Sequence, residues 1–119
     1  MEIKRLGPDD HSVLAGLNRL FAAAFDDVET YRSRPPSQAR AAWILAQHHI
    51  IALVALRDGQ VMGGLVAYVL HKLEQDRAEV YIYDLAVEKA FRRQGVATAL
   101  IAQLRVIAQA QGFNHKRLP

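Results

Sequence analysis

The stretch Tyr81-Ile82-Tyr83-Asp84-Leu85-Ala86-Val87, followed one loop later by Arg92-Arg93-Gln94-Gly95-Val96-Ala97-Thr98, decides how this chain is organised. The first part extends back to Ala78 and is rich in Val, Ile and Tyr, the composition of a half-buried strand. The second opens an apolar stripe, Ala97, Leu100, Ile101, Leu104, Ile107 and Ala108, at helical spacing. A helix from about Gly95 to Gln111 follows, with Gly112 as its stop. Strand, turn and helix in this order leave unpaired backbone amides and the positive end of a dipole at the helix start, where phosphate binds readily. Gly95 lets the backbone approach a ligand, Ala97 avoids crowding it, and Arg92 and Arg93 add charge and forked donors. The turn lacks the Gly-Lys-Ser/Thr of a Walker loop and the three spaced glycines of a dinucleotide fingerprint.

Upstream of this strand the pattern changes twice. Ile50 to Leu56 is a short apolar run stopped by Asp58-Gly59, a strong hairpin turn. Val61 to Leu70 returns as a strand in which Gly63-Gly64 allows a bulge or a close backbone approach. Ile3 to Leu6 is a further short strand. Val13, Leu17, Leu20, Phe21 and Ala24 recur at helical spacing after a possible cap at Asp9 or Asp10. Asp26-Asp27 breaks that helix, and Ser37 caps a second one bearing Ala41, Ile44, Leu45 and, at its end, His48-His49. Trp43 and the Phe21/Phe25 pair read as core. The order strand, two helices, three strands, helix gives an α+β fold: a mainly antiparallel central sheet flanked by helices, in one domain spanning residues 1–119.

With 51% hydrophobic and 23% charged residues the chain is globular rather than disordered. It has no cysteine, so disulfides, thiolate metal sites and cysteine nucleophiles are excluded. No apolar run suits a membrane span and the first residues lack a secretory signal, so a cytoplasmic protein is expected, without membrane association. The net charge of +3 is unevenly distributed. Lys89, Arg92, Arg93, Arg105, Lys116 and Arg117 lie in the C-terminal part, whereas Glu74, Asp76, Glu79 and Asp84 cluster just before it. One end suits an anion and the other a cation. Aromatic residues are not interleaved with the basic ones, which argues against nucleic acid as partner. The histidines suggest no metal site.

Arg-x-x-Gly-x-Ala after an apolar strand resembles the acetyl-coenzyme A motif of the GNAT superfamily of N-acetyltransferases. Glu74-Gln75, Glu79, Tyr81 to Val87 and Arg92 to Ile101 are similar to the aminoglycoside 3-N-acetyltransferases that inactivate gentamicin, and Ala67 to Leu70 and Phe21 to Tyr31 resemble them too. The resemblance spans roughly Ile3 to Gly112. It implies transfer of an acetyl group from acetyl-coenzyme A to an aminoglycoside amine, hence antibiotic resistance. Acceptors such as a polyamine, another small amine or a protein amine stay open, as does a coenzyme-binding module without turnover.

The same resemblance implies residue roles. The pyrophosphate would rest on Arg92, Arg93, Gln94, Gly95, Val96, Ala97 and Thr98, and the pantetheine arm would run beside Leu85, Ala86 and Val87. An amide of Leu85 or Val87 would polarise the thioester carbonyl. Asp84 is the candidate base for the attacking amine. Asp26, Asp27, Glu74, Glu79, Tyr83 and Asp84 would meet a polycationic acceptor. Strand alternation puts Glu79, Tyr81 and Tyr83 on one face and Asp84 on the other, unless a bulge intervenes. The family continues past the final helix into a strand, a helix and two closing strands. Asn114 to Pro119 is polar and does not read as that strand, so this chain corresponds to the N-terminal two-thirds of the family fold. The apolar edge of Ala78 to Val87 would then invite pairing with another copy, in a homodimer or higher oligomer.

Overall fold

Asp58 and Gly59 both hold positive φ, 51° and 78°. That is the backbone a two-residue hairpin turn needs if its twist is to match the flanking strands. The turn joins β2 (Ile50–Arg57) to β3 (Gln60–His71). β1 (Glu2–Arg5) pairs with the other side of β2, and β4 (Ala78–Val87) with β3, all antiparallel. This is the strand set expected from the apolar runs. The computed structural model describes residues 1–112, and the backbone of 114–117.

A fifth strand, β5 (Asn114–Arg117), corrects the expectation that the segment after the last helix adds none. It lies parallel to β4, with Asn114 opposite Glu79 and Arg117 opposite Tyr81. Its polar sequence hid it, because ladder hydrogen bonds use only backbone groups and need no apolar side chain. The edge of β4 expected to be free is therefore taken over its first half. Beyond Tyr81 the described residues give β4 no further partner on that side. Leu118 and Pro119 lie outside the described residues.

Four helices cover the sheet: α1 (His11–Ala24), α2 (Val28–Arg32), α3 (Gln38–Leu45) and α4 (Val96–Ala110). Ser37 Oγ accepts from the Arg40 amide at 3.1 Å and caps α3, a bond worth about 1 kcal/mol. Asp10 precedes α1 but does not cap it. Its carboxylate accepts from the Gly7 amide at 2.7 Å and meets Lys4 Nζ at 2.9 Å. The break at Asp26-Asp27 is also a start, since Asp27 accepts from the Thr30 amide at 3.0 Å and opens α2. His48-His49 lies in the turn just past α3. Trp43, expected in the core, is 56% exposed and lies under the Arg40 guanidinium.

The two faces of the sheet are packed separately. Val96, Leu100, Leu104 and Ala108 of α4 bury against Ile51, Leu53, Leu65, Val80 and Ile82. Leu17 and Phe21 of α1 and Leu45 of α3 bury against Ala52, Val54 and Ala86 on the other face. Each Val, Leu, Ile or Phe side chain removed from water contributes roughly 1.5–3 kcal/mol, and each Ala less. At Gly63-Gly64 both layers come close to β3. A Cβ on Gly63 would stand 2.9 Å from the Ala86 carbonyl oxygen and from Val96, and one on Gly64 would stand 2.1 Å from Leu17. The glycines thus serve the close approach, and a register shift lies beside them, between Ala55 and Leu56 of β2.

Candidate active site

The site is built where β4 changes register. Val66 of β3 pairs with Asp84, but the next residue, Ala67, pairs with Ile82. Tyr83 is therefore an extra residue, a β-bulge, and bulges re-aim side chains beside functional sites. Ile82 and Leu85 pack toward α4, while Tyr83 and Asp84 both line a cavity on the α1 face. Alternation alone would have separated them. The bulge brings them together.

That cavity, about 250 Å³, is walled by Phe21, Tyr31, Pro35, Leu45, Val66 and Tyr68 among others. A neighbouring cavity of about 240 Å³ shares Leu14, Asn18, Tyr31, Pro35 and Pro36 with it and adds His11, Arg19 and Arg32. Tyr31 Oη donates to Asp84 Oδ1 at 2.9 Å. Burial pushes the Asp84 carboxyl up, opposed by that hydrogen bond. Burial, and then the bond to Asp84, push the Tyr31 phenol up as well. Tyr68 is also raised, chiefly by burial, and meets Tyr83 edge-on with ring centres 5.4 Å apart. A carboxylate whose basicity is raised by burial in a mostly apolar cavity is a competent proton acceptor.

Next to Asp84 runs the open half of the β4 edge. Glu88 N–H donates to the Met62 carbonyl at 2.7 Å, toward β3. Strand alternation then turns the N–H groups of Leu85 and Val87 away from β3, to the open side. Arg92 Nε donates to the Val87 carbonyl at 3.3 Å on the same side. The turn from Arg92 to Gly95 carries two left-handed residues, Arg93 at φ 64° and Gly95 at φ 80°. Gly95 is the N-cap of α4, supplies no side-chain cap, and has nothing within 4 Å of where a Cβ would stand. The first amides of α4, those of Val96, Ala97 and Thr98, precede the first intrahelical bond, from Ala99 to Gly95. Arg92, Arg93 and Gln94 are exposed around them. This arrangement fits a pyrophosphate on the turn and an extended chain beside Leu85 and Val87.

The acids expected to meet a cation are dispersed. Asp27 is committed to the start of α2. Glu79 is buried, and its Oε1 lies 3.5 Å from both Lys72 Nζ and Arg77 Nη1. Glu74 is exposed near Lys72, and Asp26 is exposed after α1. Only Tyr83 and Asp84 of that set line the cavity. The sequence does not mark Tyr31 as a site residue. It lies 53 positions from Asp84, and no local pattern links them. Among the described residues, no group of acids and histidines is arranged to hold a metal ion. No helix among them is long and apolar enough to cross a membrane.

Comparison with known proteins accounts for this arrangement. Residues 15–118 match the Acetyltransferase (GNAT) family. An aminoglycoside acetyltransferase from an uncultured soil metagenomic sample, HMB0005, is 42% identical, with a TM-score of 0.95 over 99% of this chain and 78% of that one. A second enzyme so described from such a sample, meta-AAC0020, solved in complex with sisomicin, is 30% identical, with a TM-score of 0.87 over 99% and 76%. The ribosomal-protein-alanine N-acetyltransferase of Brucella melitensis biovar Abortus 2308 shares the fold at 24% identity and a TM-score of 0.74, over 99% of this chain and 79% of that one. No curated protein matches. The strand, the uncapped turn and the carboxylate beside them thus belong to a member of the GNAT acetyltransferase family, an N-acetyltransferase.

Proposed function

We propose that this protein acetylates a primary amine of an aminoglycoside at the 3-N position, with acetyl-coenzyme A as donor, in the cytoplasm. The observation that carries the reading is the adjacency of Asp84, raised by burial, to the open edge at Leu85. Likeness to aminoglycoside acetyltransferases at 42% and 30% identity supports the acceptor class. The coenzyme would supply an activated acetyl thioester. The amides of Val96, Ala97 and Thr98, with Arg92 and Arg93, would hold its pyrophosphate. Leu85 or Val87 N–H would donate to the thioester carbonyl oxygen as negative charge builds there. Asp84 would take the proton that the amine must lose, and this balances the proton the departing thiolate gains. Tyr83 and Tyr68 would give the acceptor an apolar wall.

A second reading of the acceptor rests on charge. Arg19, Arg32 and Arg34 line the two joined cavities, and none of them forms an ion pair among the described residues. An amine that also carries a carboxylate or phosphate suits such a wall better than a polycation does. Thiol release measured with gentamicin, spermidine, a lysine peptide and an amino acid decides between them. Gentamicin as best acceptor supports the first reading. Preference for the amino acid supports the second.

A further inference from the structure

We infer that Tyr31 is a positioning residue for the reaction: its hydroxyl fixes the Asp84 carboxylate, and α2 thereby ties the wall of the acceptor cavity to the base. The inference rests on the reading of Asp84 as the proton acceptor and adds to it a residue and an element.

Three observations meet at this point. The first is the hydrogen bond itself, at 2.9 Å between residues 53 positions apart. It ties the Asp84 side chain to a different element, α2. The second is the way Tyr31 is held. Its ring packs against Phe21 and Phe25, with ring centres 5.7 Å away in each case, and these two stack on each other at 5.6 Å. Phe21 is fully buried, so the triangle anchors the end of α2 to α1. The third is location, because Tyr31 lines both cavities and Asp84 only the inner one. Tyr31 is thus on the wall that the two cavities share.

The chemistry follows from the single acceptor oxygen that Tyr31 occupies. With Oδ1 accepting from Tyr31, rotation of the carboxylate is restrained and Oδ2 keeps both its lone pairs for an amine. The donated hydrogen bond favours the ionised form, the form a base needs, against the burial that disfavours it. The groups that face Asp84 are Tyr31 from α2, Tyr68 from β3, Tyr83 from β4 itself and, across the cavity, Arg34 from the loop before α3. Asp27 also acts on Tyr31 from the start of α2. Without the hydroxyl, Asp84 ionises at higher pH and its orientation loosens.

The test is the pH profile of kcat/KM for Tyr31→Phe, Asp84→Asn and the double variant, with one acceptor throughout so that the amine's own titration is constant. Circular dichroism and acetyl-coenzyme A binding serve as folding controls. Tyr31→Phe keeps the ring and the aromatic triangle. Its acid limb should move to higher pH, with kcat/KM on that limb down about ten-fold, as expected for a hydrogen bond to a charged group, and with a smaller loss above it from the loosened carboxylate. In the Asp84→Asn background the same substitution should change the rate less than two-fold. A Tyr31→Phe profile that keeps its limb, whether the rate is unchanged or is lowered equally at every pH, overturns the inference. Wild-type rates for Asp84→Asn itself would overturn the reading of Asp84 beneath it, a result distinct from a silent Tyr31→Phe.

Discussion

At the scale of single residues, Asp84 and Gly64 make the most definite demands. Asp84→Asn should lower kcat by about 10²–10⁴, the usual worth of a positioned general base. The same substitution tests the cause of its raised carboxyl. A group whose folded pKa lies above its unfolded value costs stability once it ionises. That cost is absent below the unfolded pKa and grows as pH rises through the folded one. Urea unfolding should therefore find Asp84→Asn gaining on wild type between acid and neutral pH. An equal difference at both would contradict a buried, raised carboxyl. Gly64→Ala should destabilise by about 1–3 kcal/mol, because its Cβ would collide with Leu17. Asp84 and the glycine pair were legible in the sequence, through the strand pattern and through glycines where none is needed for a turn. The bulge at Tyr83 was not, since no Gly or Pro marks it. Tyr31 was not either, because only the tertiary fold brings α2 to β4.

At the scale of elements, the start of α4 is the best example of a local sequence fixing a local geometry. Gly95 at φ 80° with open space around it is a glycine for conformation, not for packing. Gly95→Ala should cost about 1–2 kcal/mol from the left-handed backbone alone. Ser37→Ala should cost about 1 kcal/mol through loss of the α3 cap, and both are measurable by denaturant unfolding. Strands β2 to β4 were legible because apolar runs and the Asp58-Gly59 turn mark their ends. Helix α2 and strand β5 were not. The first is a single short helix opened by the same Asp27 that closes the previous pattern, and the second is polar and held to β4 by its backbone. Trp43 misled because size and aromaticity suggest burial, whereas here the Arg40 guanidinium covers one ring face at the surface.

At the scale of the whole molecule, the sheet separates two roles. Its α4 face is sealed by apolar packing, and its α1 face holds the cavities. The uneven charge read from the sequence survives in part. The basic turn lies where an anion would bind, but the acids around Glu79 are engaged with Lys72 and Arg77 and do not form a field over the acceptor cavity. Association of copies would draw on exposed Leu70, Leu73 and Tyr81 more than on the β4 edge, part of which β5 covers. Size-exclusion chromatography with light scattering at micromolar concentration should give a dimer or larger, and a monomer alone would contradict it. The central claim, that the turn from Arg92 to Thr98 seats the coenzyme, is tested most directly by calorimetric titration of acetyl-coenzyme A into wild type and Gly95→Trp. Saturable binding by the wild type, weakened at least ten-fold in a folded variant, is the predicted result. Equal affinity in the two proteins would contradict it.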